Sequence, residues 1–128
     1  MRIRGQVIPG LGQGRFFLSL GPYQTSFTAQ LGYAPFPGTL NIEVSPADAL
    51  RVQVLKNEGR LDVPGFVLNG REFYRINLVR ARLLDSPGVL IFPLLNHHPM
   101  TVLEFVAEHN LREKYKLKDG DKVEIQII

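Results

Sequence analysis

The sequence contains no cysteine. This absence excludes disulfide bonds, thiolate metal sites and cysteine nucleophiles, and it leaves few routes to covalent catalysis. No apolar run in the sequence approaches the roughly 20 residues that a membrane-spanning helix needs. The first ten residues, MRIRGQVIPG, also lack the long apolar stretch and the small-residue cleavage site of a secretory signal. We therefore predict a soluble protein with a cytoplasmic location and no membrane partner.

Positive charge is in small excess and is not concentrated in one segment. The 128 residues carry a formal net charge of +3, and the sequence pI is near 9.4. This balance favours anionic partners, but the excess is small for a protein that neutralises many phosphates, so a nucleotide fits as well as a nucleic acid. The composition does not change sharply along the chain, and its length is typical of one domain. We predict a single domain over residues 1–128.

Short alternating segments dominate the chain. They are rich in β-branched and aromatic residues and predict six or more strands: IRGQVI, RFFLSL, TLNIEV, FYRINLVRARLL, GVLIFPLL and KVEIQII. One helix is predicted between Tyr23 and Tyr33, ending at Gly32, and a second through HPMTVLEFVAEHNLREKY, whose apolar residues follow a helical spacing. The segment from Ser45 to Gly70 is assigned to barrel strands and a connection, with an Asn-Gly hairpin turn at its end. The pattern predicts a mainly β fold, a compact β-barrel with two short helices.

Three glycines alternate at the start of GLGQGRFFLSL. Gly10, Gly12 and Gly14 would let backbone amides approach an anion closely, and Arg15 could add a forked contact to phosphate oxygens. The segment is neither a Walker nor a Rossmann loop, because it lacks the closing Gly-Lys-Ser/Thr and leads into a predicted strand rather than a helix. The residues alone leave two interpretations open, a glycine-rich turn of a barrel and a phosphate-binding loop.

The segment FPGTLNIEV places two oxygen-bearing side chains on one face of a predicted strand. Thr39 and Asn41 are two residues apart, so both side chains point the same way. They could offer a hydroxyl and an amide oxygen to a hard cation such as magnesium. Alternatively, Thr39 simply favours a strand and Asn41 bonds local backbone.

The predicted second helix carries a further candidate. Glu104 lies beside its apolar stripe, so it either meets a ligand or lies at the solvent edge of the helix. His97 and His98 are adjacent and point in opposite directions in an extended chain, which argues against a zinc site. The chain shows no Ser-His-Asp order and no paired-carboxylate motif. Phosphoryl transfer remains open, because it asks the protein mainly for positioning and electrostatic stabilisation.

Taken together and in this order, GLGQGRFFLSL, GTLNIEV and NHHPMTVLEFVAEHNLREKYKLKDGD resemble the archaeal CTP-dependent riboflavin kinases, and the similarity runs nearly end to end. The resemblance implies a six-stranded cradle-loop barrel that transfers the γ-phosphate of CTP to the 5′-hydroxyl of riboflavin, giving FMN and CDP. It implies one Mg²⁺ held by Thr39 and Asn41, and flavin contacts from Asn96 and Glu104. The family usually has threonine at the position of Asn96, and asparagine can also donate and accept hydrogen bonds.

The resemblance also implies a nucleotide pocket and a mechanism. Two segments would hold the nucleotide: Gly10, Leu11, Gly12, Gln13, Gly14, Arg15 and Phe16, and then His109, Asn110, Leu111 and Arg112. Transfer would be direct and in line, with Arg15 offsetting charge and Glu104 orienting or deprotonating the flavin hydroxyl. The expected partners are riboflavin or FMN and CTP or CDP, with no nucleic acid. The alternatives are a DNA-binding barrel and a flavin-binding barrel without kinase activity.

Overall fold

The structure of the protein is a computed structural model that describes residues 1–10, 13–58, 61–94 and 98–128, with Gln13 described by its backbone alone. The described residues form nine strands: β1 Arg2–Ile8, β2 Leu40–Val44, β3 Leu61–Val63, β4 Phe66–Leu68, β5 Arg71–Phe73, β6 Ile76–Leu83, β7 Ser86–Pro93, β8 Val102–Ala107 and β9 Lys122–Ile127. The helices of the same residues are α1 Gln13–Ser19, α2 Gly21–Leu31, α3 Pro46–Asn57 and α4 Leu111–Lys114.

Six of the strands close into an antiparallel barrel. Their order is β6, β7, β8, β2, β1 and β9, and β9 pairs back with β6 to complete the ring. The short strand β3 adds to the other end of β6, while β4 and β5 pair only with each other as a hairpin. The prediction of a mainly β, six-stranded barrel is therefore confirmed. Among the described residues there are four helices instead of the predicted two.

Two apolar layers pack on opposite faces of the barrel wall. The barrel interior is filled by side chains that include Ile3, Ile42, Leu90, Phe105 and Ile125. A second layer lies between the outer face of the wall and the elements that cover it, and it includes Leu18, Tyr23, Phe27, Phe73 and Val106. Because β8 lies between both layers, all six of its residues are buried.

Two local predictions are confirmed by the backbone. Helix α2 ends where glycine was expected to stop it: Gly32 has a φ of 84° and its N–H donates to the Thr28 carbonyl. The hairpin of β4 and β5 turns at Asn69 and Gly70, which have φ values of 52° and 78°. Two successive positive φ values are typical of a type I′ turn, which an Asn-Gly pair adopts readily.

The segment RFFLSL is not the predicted strand, because all of it except Leu20 lies in helix α1. A short continuous apolar run does not distinguish a strand from a buried helix by its periodicity. In the helical conformation Leu18 is buried in the outer apolar layer, while Phe16 stays half exposed. The glycine segment therefore leads into a helix, which corrects the expectation that a strand follows it.

The second predicted helix is also wrong over most of its length. Residues 102–107 form strand β8, and only Leu111–Lys114 are helical. The run VLEFVA lacks the alternation of a half-exposed strand because both of its faces are covered, and this is why it was mistaken for a helix. The short helix α4 begins after Asn110, whose Oδ1 accepts a hydrogen bond of 3.3 Å from the Glu113 N–H.

The expectation that residues 45–70 hold only strands and a connection is wrong as well, since they include helix α3. Its N-cap is Ser45, whose Oγ accepts a 3.2 Å hydrogen bond from the Asp48 N–H, and Pro46 follows as the first helical residue. Serine followed by proline is a recognised helix start, so this signal was present in the sequence. At 12 residues α3 is the longest described helix, and none in the described ranges is long and apolar enough to cross a membrane.

The barrel's tight strand packing can be tested at Gly5 of β1. A Cβ at this position would lie 2.7 Å from the Glu43 carbonyl oxygen and would also clash with Ile42 Cγ2. We expect Gly5→Ala to lower the free energy of unfolding by about 1–3 kcal/mol, the usual cost of overpacking, in urea denaturation. Gly21→Ala is the control, because a Cβ there meets nothing within 4 Å. Equal stability of the two variants would contradict this account of the barrel packing.

Candidate active site

A cleft of about 620 Å³ opens on the outer face of the barrel. Its floor is formed by β2, β7 and β8, and its walls by α1, the hairpin of β4 and β5, and the loop that leads into α4. A cleft of this size is typical of small-molecule sites.

The structure brings most of the predicted site residues to this cleft. Those that line it are Gly10, Gly14, Arg15, Thr39, Asn41, Glu104, His109, Asn110, Leu111 and Arg112. Phe16 is 50% exposed and does not line the cleft; its ring instead packs edge-on against Phe17, at 5.3 Å between centroids. Leu11, Gly12 and Asn96 lie outside the described residues, as does the side chain of Gln13.

Strand alternation explains how β2 presents polar groups to the cleft. Leu40 and Ile42 point into the barrel interior, so Asn41 between them points to the outer face, where it is only 2% exposed. Thr39 immediately precedes the strand and donates a hydrogen bond of 3.0 Å from its Oγ1 to the Asn41 Oδ1. Two hard oxygen atoms are thus held side by side at the floor of the cleft.

Helix α1 approaches these oxygens at Gly14. A Cβ on Gly14 would lie 3.1 Å from both Oγ1 and Cγ2 of Thr39, closer than most side chains come. The glycine therefore permits close packing of a helix on the cleft floor. It also brings the next residue, Arg15, to the rim of the cleft, where the side chain is exposed.

Glu104 lies on β8 directly opposite Asn41 of β2 and Ile91 of β7. It is 7% exposed, so the alternative that placed it at the solvent edge of a helix is wrong. Burial raises the pKa of the Glu104 carboxyl, and the contacts with His98 and the Thr39 hydroxyl lower that pKa only in part. The cleft floor therefore holds a carboxylate with a stronger affinity for a proton than an exposed glutamate has.

Helix α4 is tied to the end of β1 through Arg112. One guanidinium nitrogen of Arg112 donates to the Ile8 carbonyl at 3.0 Å and to Asp119 Oδ1 at 2.7 Å. These bonds hold the segment from 109 to 112 beside Gly10, so it faces the same cleft as Gly10, Gly14 and Arg15 of the other predicted nucleotide segment. Arg112 and the capping residue Asn110 therefore also have structural roles.

Sequence reasoning assigned no role to the wall that the hairpin contributes. Phe73 packs edge-on against Phe17, at 6.2 Å between ring centroids, and against Tyr23, at 6.4 Å. The Arg71 guanidinium lies 4.8 Å from the Phe73 ring centroid, at a distance typical of a cation–π contact. The Tyr23 hydroxyl donates to the Tyr74 carbonyl at 2.6 Å and anchors the hairpin to α2. No sequence pattern predicts the contacts of the hairpin with α1 and α2, because they join elements about 50 residues apart.

His98 was also missed as a partner of the cleft floor. Its Nε2 lies 3.3 Å from Glu104 Oε1, and the two side chains are 15% and 9% exposed. From the sequence, His98 was considered only together with the adjacent His97, as a possible pair of zinc ligands. Within the described ranges, no three His, Cys, Asp or Glu side chains are grouped as a metal site requires.

Comparison with known proteins identifies the family. The family model for CTP-dependent riboflavin kinases, which carries the description "Domain of unknown function DUF120", matches residues 7–127. The chain belongs to this family. It is 37% identical over 127 residues to a protein of Pyrobaculum calidifontis named riboflavin kinase, and 39% identical over 127 residues to one of Pyrobaculum islandicum. A riboflavin kinase of Ignicoccus hospitalis is 35% identical over 125 residues.

These matches cover nearly all of this chain but only part of each relative. They include 99% of the chain and 60% of either Pyrobaculum protein, and 98% of the chain and 70% of the Ignicoccus protein. The chain therefore spans about 60% of the length of the first two relatives.

The buried carboxylate has a consequence for stability. Because the folded-state pKa of Glu104 is raised, the folded protein binds more protons than the unfolded chain between the ordinary glutamate pKa and the raised value. Stability is therefore lost as the pH rises through this window. In metal-free buffer, we expect Glu104→Gln to have a higher free energy of unfolding than the wild type at pH values above the raised pKa of Glu104. This difference between the variant and the wild type should shrink as the pH is lowered. Urea denaturation from pH 4 to 8 measures this, and a pH-independent difference would contradict it.

Proposed function

We propose that this chain is a CTP-dependent riboflavin kinase, which transfers the γ-phosphate of CTP to the 5′-hydroxyl of riboflavin and forms FMN and CDP. The observation that carries the proposal is the convergence of Glu104, Thr39, Asn41 and Arg15 on one cleft. Family membership and the names of the relatives support the same activity. The choice of CTP as donor rests on the family name alone.

The oxygens at the cleft floor fit a magnesium ion. Adjacent ligands of an octahedral Mg²⁺, with bonds of about 2.0–2.1 Å, lie about 3 Å apart. The Oγ1 of Thr39 and the Oδ1 of Asn41 are 3.0 Å apart, so they could occupy two neighbouring positions. When bound there, the ion would offset the charge of the CTP phosphates. We propose that these two residues hold it.

The nucleotide would lie between the segments at 10–16 and 109–112. Arg15 is exposed at the rim of the cleft, and no ion pair engages it among the described residues. Its guanidinium is thus available for phosphate oxygens, which it matches in geometry. In phosphoryl transfer such contacts supply most of the catalysis, because charge on the transferred group must be stabilised.

The flavin would lie along the hairpin side of the cleft. Phe17, Tyr23 and Phe73 form an aromatic wall there, and Ile91 is the neighbour of Glu104 on β7. A planar apolar ring system packs well against such a wall. The ribityl chain would then reach the cleft floor, where Glu104 faces its terminal hydroxyl.

Glu104 would orient this hydroxyl and accept its proton. The hydroxyl oxygen forms a bond to the γ-phosphorus, the bond from that phosphorus to the bridging oxygen breaks, and the electron pair leaves with CDP. Burial raises the pKa of Glu104 and so makes its carboxylate a better base at neutral pH.

The reaction itself is the first test. The full chain is incubated with riboflavin and Mg²⁺, with CTP or ATP in separate reactions, and FMN is followed by chromatography. We expect FMN with CTP and little with ATP. FMN with ATP alone would keep the kinase and overturn the cytidine assignment. If the protein retains riboflavin but forms no FMN or CDP, the result would favour a flavin-binding barrel without kinase activity. If it binds DNA and forms neither product, the result would favour a DNA-binding barrel.

Arg15→Ala tests the nucleotide side of the cleft. Loss of one charge-assisted contact typically costs about 1.5–3 kcal/mol, so we expect kcat/KM for CTP to fall about 10- to 100-fold with little change in stability. The matched control is Arg51→Ala, because Arg51 lies on α3 outside the cleft in an exposed ion pair with Asp48. Unchanged kcat/KM in Arg15→Ala would remove this residue from the mechanism.

A further inference from the structure

His98 and Glu104 form a pair at the cleft floor, in which Glu104 is buried and His98 is partly buried. The imidazole Nε2 lies 3.3 Å from the carboxylate Oε1, and both residues line the cleft. His98 belongs to the segment that joins β7 to β8, whereas Glu104 is held within β8 by two strand neighbours. The histidine thus contacts the carboxylate from outside the barrel wall.

The carboxylate has a second hydrogen-bond donor in the Thr39 hydroxyl. That hydroxyl also points to Asn41 Oδ1 at 3.0 Å, and it carries one hydrogen, which it can give to only one acceptor at a time. Thr39 alone therefore does not fix the plane of the Glu104 carboxylate. A second donor on a different segment would restrict the carboxylate further, and His98, whose side chain is 15% exposed, is placed to be that donor.

We propose that His98 is a positioning residue for the reaction: its Nε2–H donates to Glu104 Oε1 and holds the carboxylate towards the acceptor hydroxyl. The inference rests on the proposed function. It concerns the hydrogen bond and requires no change in the charge of either group. A misplacement of about 1 Å in a reacting group can cost up to about 100-fold in rate. The loss of this donor should therefore affect the chemical step more than nucleotide binding.

The kinetic test compares His98→Ala with His98→Gln. We expect His98→Ala to lower kcat by about 10- to 100-fold while KM for CTP stays within about twofold, since His98 acts on the carboxylate. In His98→Gln an amide N–H can replace the imidazole donor, so most of the lost kcat should return. Unchanged kcat in His98→Ala, or no recovery in His98→Gln, would overturn the proposal. Arg51→Ala again serves as the control outside the cleft.

A second measurement reads the contact without turnover. Nitrogen-15 NMR of the histidines in metal-free wild type should show a protonated, hydrogen-bonded Nε2 on His98. Glu104→Ala should shift that signal, whereas Arg51→Ala should leave it in place. An unmoved signal in Glu104→Ala overturns the positioning role even if the wild type makes FMN. If the wild type makes no FMN with CTP or ATP, the proposed function fails and the role of His98 in that reaction fails with it, although the NMR contact stands.

Discussion

The antiparallel pairing of β2 with β8 is the constraint on which the candidate site depends. This register sets Asn41 opposite Glu104 and turns both polar side chains to the outer face of the barrel. Their neighbours Ile42 and Phe105 fill the interior. A slip of one residue would exchange the two faces, placing the carboxylate in the apolar interior. The packing that stabilises the barrel therefore also sets the position of the site.

The second apolar layer gives this pair of strands its chemical character. Helix α1 and the hairpin of β4 and β5 cover the outer face of the barrel, so Glu104 is buried without lying in the core itself. Burying a carboxylate opposes folding, and the raised pKa of Glu104 expresses that cost. The same environment strengthens hydrogen bonds and charge interactions within the cleft. The burial of Glu104 therefore lowers the stability of the fold, and the same burial makes Glu104 the stronger base that the proposed function requires.

The errors in the sequence-based prediction have one physical origin. Strand β8 carries apolar residues on both sides because two layers cover it, and Phe17 and Leu18 of RFFLSL are apolar because they pack in the outer layer. In both cases the apolar side chains indicate that the segment is buried, but they do not indicate whether its backbone is a strand or a helix. Residues that act through local backbone geometry were more reliable guides than apolar runs, since Gly32 ends a helix and the Asn-Gly pair forms a turn where each was expected. The Ser45-Pro46 start of α3 was also local, and it was overlooked.

The sequence by itself determined the barrel class, the strands β1, β2 and β9, and ten of the residues that line the cleft, because these follow from alternation, turn residues and motif order. It did not determine that Glu104 lies on a strand, that His98 reaches it, or that Arg71 and Phe73 form a wall. These features join segments that are far apart in the chain or covered by a second layer. Only the closed barrel and its cover bring such groups within contact distance, so only the tertiary structure decided them.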